Sequence, residues 1–67
     1  MIEISLNGAC HKIDGNSNLM SLLEGLDLDT SKVAVERNLE IVPKSTYQNI
    51  KLVAGDRLEI VNFIGGG

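Results

Sequence analysis

The sequence predicts an α+β domain, a mixed sheet of four to five strands packed on one helix. Three observations predict it. Ile2, Ile4 and Leu6 alternate with Glu3 and Ser5, the period-two pattern of a half-buried strand. Asn7-Gly8 follows at once, and both residues tolerate the positive φ of a tight type I′ hairpin turn. Leu19, Leu22, Leu23 and Leu26 fall at i, i+3, i+4 and i+7, one apolar stripe on a helix. A hairpin needs something to cover its apolar face, and the leucine stripe supplies it.

The elements follow in order. A two-residue loop at Asn7-Gly8 sets Leu6 opposite Ala9, Ile4 opposite His11 and Ile2 opposite Ile13, so the return strand is Ala9 to Ile13. Asp14-Gly15-Asn16-Ser17 is a turn cluster. Asn18 or Ser17 caps the helix by accepting a backbone N–H bond. Gly25 weakens a helix by roughly 1 kcal/mol relative to alanine, so the helix should end near it. Asp27 to Lys32 reads as a polar connection. Val33 and Val35 open a third strand, Arg37 to Glu40 turns the chain, and Ile41-Val42 is a short strand. Pro43 marks that strand as an edge, since proline cannot donate to a ladder. Lys44 to Ile50 links onward with one short helical turn, and Gly55-Asp56 makes a turn. The last strand runs from Arg57 to Ile64, giving a domain over 1–64 and a glycine tail over 65–67. The expected core sets the leucine stripe against Ile2, Ile4, Val33, Val35, Leu58 and Ile60. The helix also supplies the crossover that a parallel strand pair requires.

Composition narrows the function. A chain of 67 residues buries only about 60% of the surface its unfolded form exposes. Little apolar surface is left to enclose a catalytic pocket, so a module that enzymes act on is expected rather than an enzyme. The net charge of −3 and scattered basic residues argue against nucleic acid, which requires clustered Lys and Arg. One Tyr, one Phe and no Trp give no platform for stacking bases. No apolar run approaches the roughly 18 residues of a membrane helix, and Met1 leads straight into strand pattern, so no secretory leader is expected. The lone Cys10 permits no internal disulfide and fits a cytoplasmic location.

Cys10 and His11 sit side by side, but successive strand side chains point to opposite faces. They therefore form no dyad, and the hairpin register turns Cys10 outward. Asp27-Leu28-Asp29-Thr30-Ser31 resembles the start of a calcium-binding loop, yet Lys32 occupies the position of its glycine and Asn38 that of its bidentate glutamate. No metal site is expected. On the last strand, Leu58 and Ile60 suit the core, whereas Glu59, Val61 and Phe63 lie on the other face. An exposed Val61–Phe63 pair would be a small docking patch.

Gly65-Gly66-Gly67 is the most informative segment. Glycine carries no side chain and adopts nearly any φ/ψ, so such a tail can thread a narrow channel in another protein. A terminal carboxylate there has a pKa of about 3.3–3.7 and is a poor electrophile until converted to a mixed anhydride.

The order β-β-α-β-β with a closing Gly-Gly resembles that of ubiquitin-like β-grasp proteins. Several segments look specifically like the thiamine-biosynthesis sulfur carrier (ThiS) family. These are Asn7-Gly8, Leu22-Leu23-Glu24, Val33-Ala34-Val35, Ile41-Val42-Pro43-Lys44, Gly55-Asp56-Arg57-Leu58-Glu59-Ile60-Val61 and Phe63-Ile64-Gly65-Gly66-Gly67. Two departures stand out: Asn38-Leu39 where Asn-Gly is often seen, and Lys44 where arginine is common.

The resemblance implies that an E1-like adenylyltransferase of the ThiF type uses Mg-ATP to adenylate the Gly67 carboxylate. Sulfur from a persulfide-carrying sulfurtransferase or cysteine desulfurase then displaces AMP and leaves a thiocarboxylate. A ThiG-type thiazole synthase takes that sulfur into the thiazole of thiamine. The domain itself would bind no cofactor and would be a monomer when free. Val61, Phe63 and Ile64 would contact the partner enzymes, and Val61 lies where the resemblance places the exposed apolar patch of ubiquitin. The small subunit of molybdopterin synthase, a ubiquitin-like protein modifier, and an interaction module with an inert tail are the alternatives.

Overall fold

The structure is a computed structural model and describes residues 1–62. Strands β1 (Ile2–Leu6) and β2 (Ala9–Ile13) form the first hairpin, with Ile2 opposite Ile13, Ile4 opposite His11 and Leu6 opposite Ala9. Asn7 and Gly8 have φ of 49° and 85°, the two positive values that a type I′ turn requires.

Helix α1 (Leu19–Gly25) begins in a capping box. Ser21 N–H donates to Asn18 Oδ1 at 2.8 Å, and Asn18 N–H donates to Ser21 Oγ at 3.2 Å. This settles the cap on Asn18. The helix stops through a left-handed residue, though Gly25 does not supply it. Asp27 takes φ 61°, its N–H donates to the Glu24 carbonyl, and Leu28 N–H donates to the Leu23 carbonyl. That is the Schellman pattern, and it brings Leu28 back over Leu23. Leu28 accordingly packs against the core although its segment reads as polar.

A 3-10 turn (Thr30–Lys32) leads into β3 (Val33–Arg37), which pairs antiparallel with the short β4 (Glu40–Ile41). A six-residue 3-10 helix (Lys44–Asn49) follows, and β5 (Arg57–Asn62) comes last. The sheet order is β2-β1-β5-β3-β4. β5 therefore enters the middle of the sheet, parallel to β1 and antiparallel to β3. β4 is an edge, consistent with Pro43 just beyond it. Phe63 and Ile64, expected at the end of the last strand, lie outside the described residues.

Leu19, Leu22 and Leu23 are buried against Ile4, Ile13, Val33, Val35 and Leu58, with Ile2, Leu26 and Ile60 partly buried at the margin. Three further core residues come from the connecting segments: Val42, Tyr47 and Leu52. The 3-10 helix thus acts as a lid over one end of α1, driving the Tyr47 ring to 1% exposure. Leu19 N–H donates to the Ile50 carbonyl and Leu52 N–H to the Ser17 carbonyl, which ties this segment to the start of α1.

Candidate functional site

The sheet has one face on the helix and one open to solvent, and alternation decides which residues reach the open side. On β5, Leu58 is buried while Glu59 and Val61 are exposed. On β3, Val33 and Val35 face inward, so Ala34 and Glu36 face outward. Register then fixes the neighbours. Ala34 stands opposite Val61, Glu36 opposite Glu59, and Ile41 of β4 opposite Glu36.

The result is a shallow open groove of about 450 Å³ lined by Ala34, Glu36, Leu39, Ile41, Glu59 and Val61. Val61 is 59% exposed, Ile41 69% and Leu39 78%. Val61 is thus outward-facing, as its alternation with Leu58 and Ile60 predicts. Leu39 and Ile41 are members of the same patch that sequence reasoning missed. The available signal was an apolar leucine at a hairpin tip, where glycine is the easier residue. Asn38 and Leu39 both adopt positive φ, 52° and 72°, so the turn keeps type I′ geometry despite the leucine. A left-handed conformation costs a residue with a Cβ roughly 1–2 kcal/mol.

The start of β5 is held by β1 on one side and by the β3–β4 turn on the other. Ser5 N–H donates to the Asp56 carbonyl at 2.8 Å and Asn38 N–H to the Arg57 carbonyl at 2.8 Å. Arg57 N–H donates to Asn38 Oδ1 at 2.9 Å. Asp56, only 3% exposed, organises the start of the strand. Its Oδ2 accepts from Arg37 Nε (3.1 Å), Arg37 Nη2 (3.0 Å) and Val53 N–H (3.0 Å), and its Oδ1 from Asn38 Nδ2 (3.2 Å). Burial alone would raise the Asp56 pKa, but the Val53, Arg37 and Asn38 hydrogen bonds and the Arg37 charge together hold it below the usual carboxylate range.

The other candidates resolve into structural roles. Cys10 is exposed on the outer side of β2 and its Sγ donates to Glu3 Oε2 at 3.1 Å. That hydrogen bond, with slight burial and the Glu3 charge, raises the thiol pKa and disfavours the thiolate needed of a nucleophile. Asp29 caps the 3-10 turn, accepting from Ser31 N–H at 2.9 Å and Ser31 Oγ at 2.6 Å. Asp27 is the left-handed residue that ends α1. Among the described residues no group of three or more His, Cys, Asp or Glu converges as a metal site. Among them, too, no helix is long and apolar enough to cross a membrane. Gly65, Gly66 and Gly67, together with Phe63 and Ile64, lie outside the described residues.

A five-stranded mixed sheet with a parallel central pair, closed over one helix and carrying an exposed apolar patch beside its last strand, defines a ubiquitin-like β-grasp domain. Solved structures agree. The crystal structure of a ThiS thiamine biosynthesis protein from Geobacter metallireducens superposes with a TM-score of 0.82 at 29% identity, covering 98% of this chain and 100% of that one. The chain belongs to the ThiS family, whose model matches residues 4–67. It is 43% identical over 49 residues to the sulfur carrier protein ThiS of Bacillus subtilis, covering 73% of this chain and 74% of that protein. It is also 48% identical over 66 residues to a thiazole synthase of Paramagnetospirillum magneticum, matching 98% of this chain but only 20% of that protein's length.

Proposed function

We propose that this chain is a sulfur carrier for thiazole formation in thiamine biosynthesis, with residues 1–64 as the recognised domain, 65–67 as its tail and the Gly67 carboxylate as the working group. The observation that carries the reading is the placement of β5. β5 is the central strand, gripped by β1 on one side and β3 on the other, and in the sequence the glycines follow within three residues of its end.

The chemistry proceeds in two exchanges. A Gly67 carboxylate oxygen attacks the α-phosphorus of Mg-ATP on an E1-like, ThiF-type adenylyltransferase, and pyrophosphate leaves. Sulfur at the oxidation level of hydrosulfide attacks the acyl carbon, and AMP departs with the C–O electron pair. That sulfur is drawn through a thiol reductant from a persulfide on a sulfurtransferase or cysteine desulfurase. The product thiocarboxylate hands its sulfur to a ThiG-type thiazole synthase. The activating enzyme supplies the magnesium, nucleotide and charge stabilisation. The carrier supplies recognition and the acyl end, and it works as a monomer in the cytoplasm, where ATP and reduced thiols are available. Val61, Phe63 and Ile64 contact the enzymes.

The match of nearly the whole chain to part of a thiazole synthase supports the thiamine branch over a molybdopterin-synthase subunit or a protein modifier. The test is to incubate the chain with its cognate adenylyltransferase, Mg-ATP and sulfide, and to weigh the intact product. The proposal requires a mass gain equal to replacing one oxygen by sulfur, localised to the C-terminal peptide. An unchanged mass despite an active enzyme would refute it.

A further inference from the structure

Glu36 and Glu59 stand directly opposite each other on β3 and β5, on the open face of the sheet. Like charges so placed destabilise an antiparallel pair. Among the described residues neither carboxylate accepts a hydrogen bond or forms an ion pair. Arg57 lies on the same face of the same strand, two residues before Glu59, without bridging to it. The two carboxylates are set among apolar side chains: Ala34 and Val61 two pairs along on the same face, Ile41 across from Glu36, and Leu39 at the rim.

This arrangement constrains whatever covers the groove. A purely apolar surface would strip water from two unpaired carboxylates, and that desolvation is costly unless an opposite charge enters with it. A second copy of the chain meeting face to face would add two more carboxylates. Arginine suits the gap better than lysine. Its planar guanidinium is weakly hydrated, stays charged, and offers a fork of donors wide enough to serve two acceptors. Leu39, 78% exposed at the hairpin tip, extends the apolar rim of the same groove.

We propose that this face docks a protein surface presenting an arginine between apolar side chains, its guanidinium bridging Glu36 and Glu59. The inference rests on the carrier reading, in which the activating enzyme is the partner that covers the patch around Val61.

The experiment measures binding of the full chain to its cognate adenylyltransferase at low and high salt, for the native chain, the double variant Glu36→Gln/Glu59→Gln, and Val61→Ser. The double variant should bind about 10–100-fold more weakly at low salt, with a slower association rate and a flatter salt dependence. Its thermal midpoint should equal or exceed that of the native chain, because a repulsive pair has been removed, so weak binding cannot be ascribed to unfolding. If Val61→Ser weakens binding while the double variant keeps native affinity and salt dependence, the docking face stands and arginine recognition is overturned. If neither changes binding, the docking reading fails and the proposal with it. Dimerisation of the chain alone, abolished by Val61→Ser, would place a second copy on this face and equally overturn it.

Discussion

The side-chain amide of Asn7 forms a peptide-like pair with the backbone of Ile60: Ile60 N–H donates to Asn7 Oδ1 at 2.7 Å, and Asn7 Nδ2 donates to the Ile60 carbonyl at 3.3 Å. Asn7 already donates its own N–H to the Leu58 carbonyl at 2.9 Å. β1 has turned away at this point, so the amide continues the ladder where the neighbouring strand ends. One residue therefore supplies the left-handed turn at φ 49° and holds the far half of β5 through Ile60. Asn38 does the corresponding work at the other end of β5 through Arg57 N–H.

Asn7→Gly should separate these two roles. Glycine keeps the positive φ without strain but removes both side-chain hydrogen bonds, each worth about 0.5–1.5 kcal/mol. Amide hydrogen exchange should speed up at Ile60 well beyond any global change, while Ile4 and Leu58 stay protected. Unchanged exchange at Ile60 would show that the amide pair does not hold the strand.

Leu39→Gly should stabilise the fold. The relief of left-handed strain, roughly 1–2 kcal/mol, exceeds the added chain entropy of glycine, roughly 0.5–1 kcal/mol. The net gain is about 0–1.5 kcal/mol, and each 1 kcal/mol corresponds to a rise of about 4–8 °C in melting temperature for a domain of this size. The same variant should bind the activating enzyme more weakly. A lower melting temperature would mean that the Leu39 side chain contributes more to the fold than its exposure indicates.

The Tyr47 hydroxyl is buried without a hydrogen-bond partner among the described residues. An unpaired buried hydroxyl costs about 1–3 kcal/mol, so Tyr47→Phe should be neutral or stabilising. Tyr47→Ala should cost roughly 3–5 kcal/mol by opening a cavity under the lid. Urea unfolding of both variants decides the point. A marked loss in the phenylalanine variant would reveal a partner for the oxygen.

Asp56 contributes to the acid limb of stability. Its folded pKa is depressed, so the folded state favours the charged form. The associated stability is fully present above the unfolded value of about 3.9 and is lost as pH falls through the lower folded pKa. Asp56→Asn should flatten the acid limb and, at neutral pH, destabilise by about 2–3 kcal/mol through loss of charge-assisted bonds to Arg37. Chemical denaturation between pH 2 and 7 follows both effects. An acid limb as steep as that of the native chain would assign it to another carboxylate.

The sequence carries strong local signals at the first hairpin and along α1. Asn7-Gly8 fixed its hairpin register because only one turn geometry fits two left-handed residues, and the leucine stripe identified the buried face of α1. Tyr47 and Leu52 were not legible as core. A 3-10 helix lacks the 3.6-residue period that flags an amphipathic helix, and its single buried aromatic looks like any loop residue. Arg37 reads as part of a turn, and nothing local marks Asp56, far along the chain, as its partner. Val61 was legible from alternation along β5. Ile41 and Leu39 were not, since their closeness to it depends on β3 lying between β4 and β5.

The central claim is the proposal that a free Gly67 carboxylate is the working group, and it is tested most directly by extending the chain. One residue appended after Gly67 moves the carboxylate by up to about 3.3–3.6 Å, whereas misplacement of about 1 Å can cost on the order of a hundredfold in rate. The measurement is the rate of AMP-adduct formation with the cognate adenylyltransferase and Mg-ATP, for the chain ending at Gly67, the extended chain, a chain lacking Gly67, and Gly66→Leu. All four should fold with the same melting temperature, since the changes fall at or after Gly66 and, among the described residues, no core residue lies beyond Ile60. Only the chain ending at Gly67 should form the adduct at an appreciable rate. If the extended chain is adenylated as fast, the Gly67 carboxylate is not the working group and the carrier account is wrong.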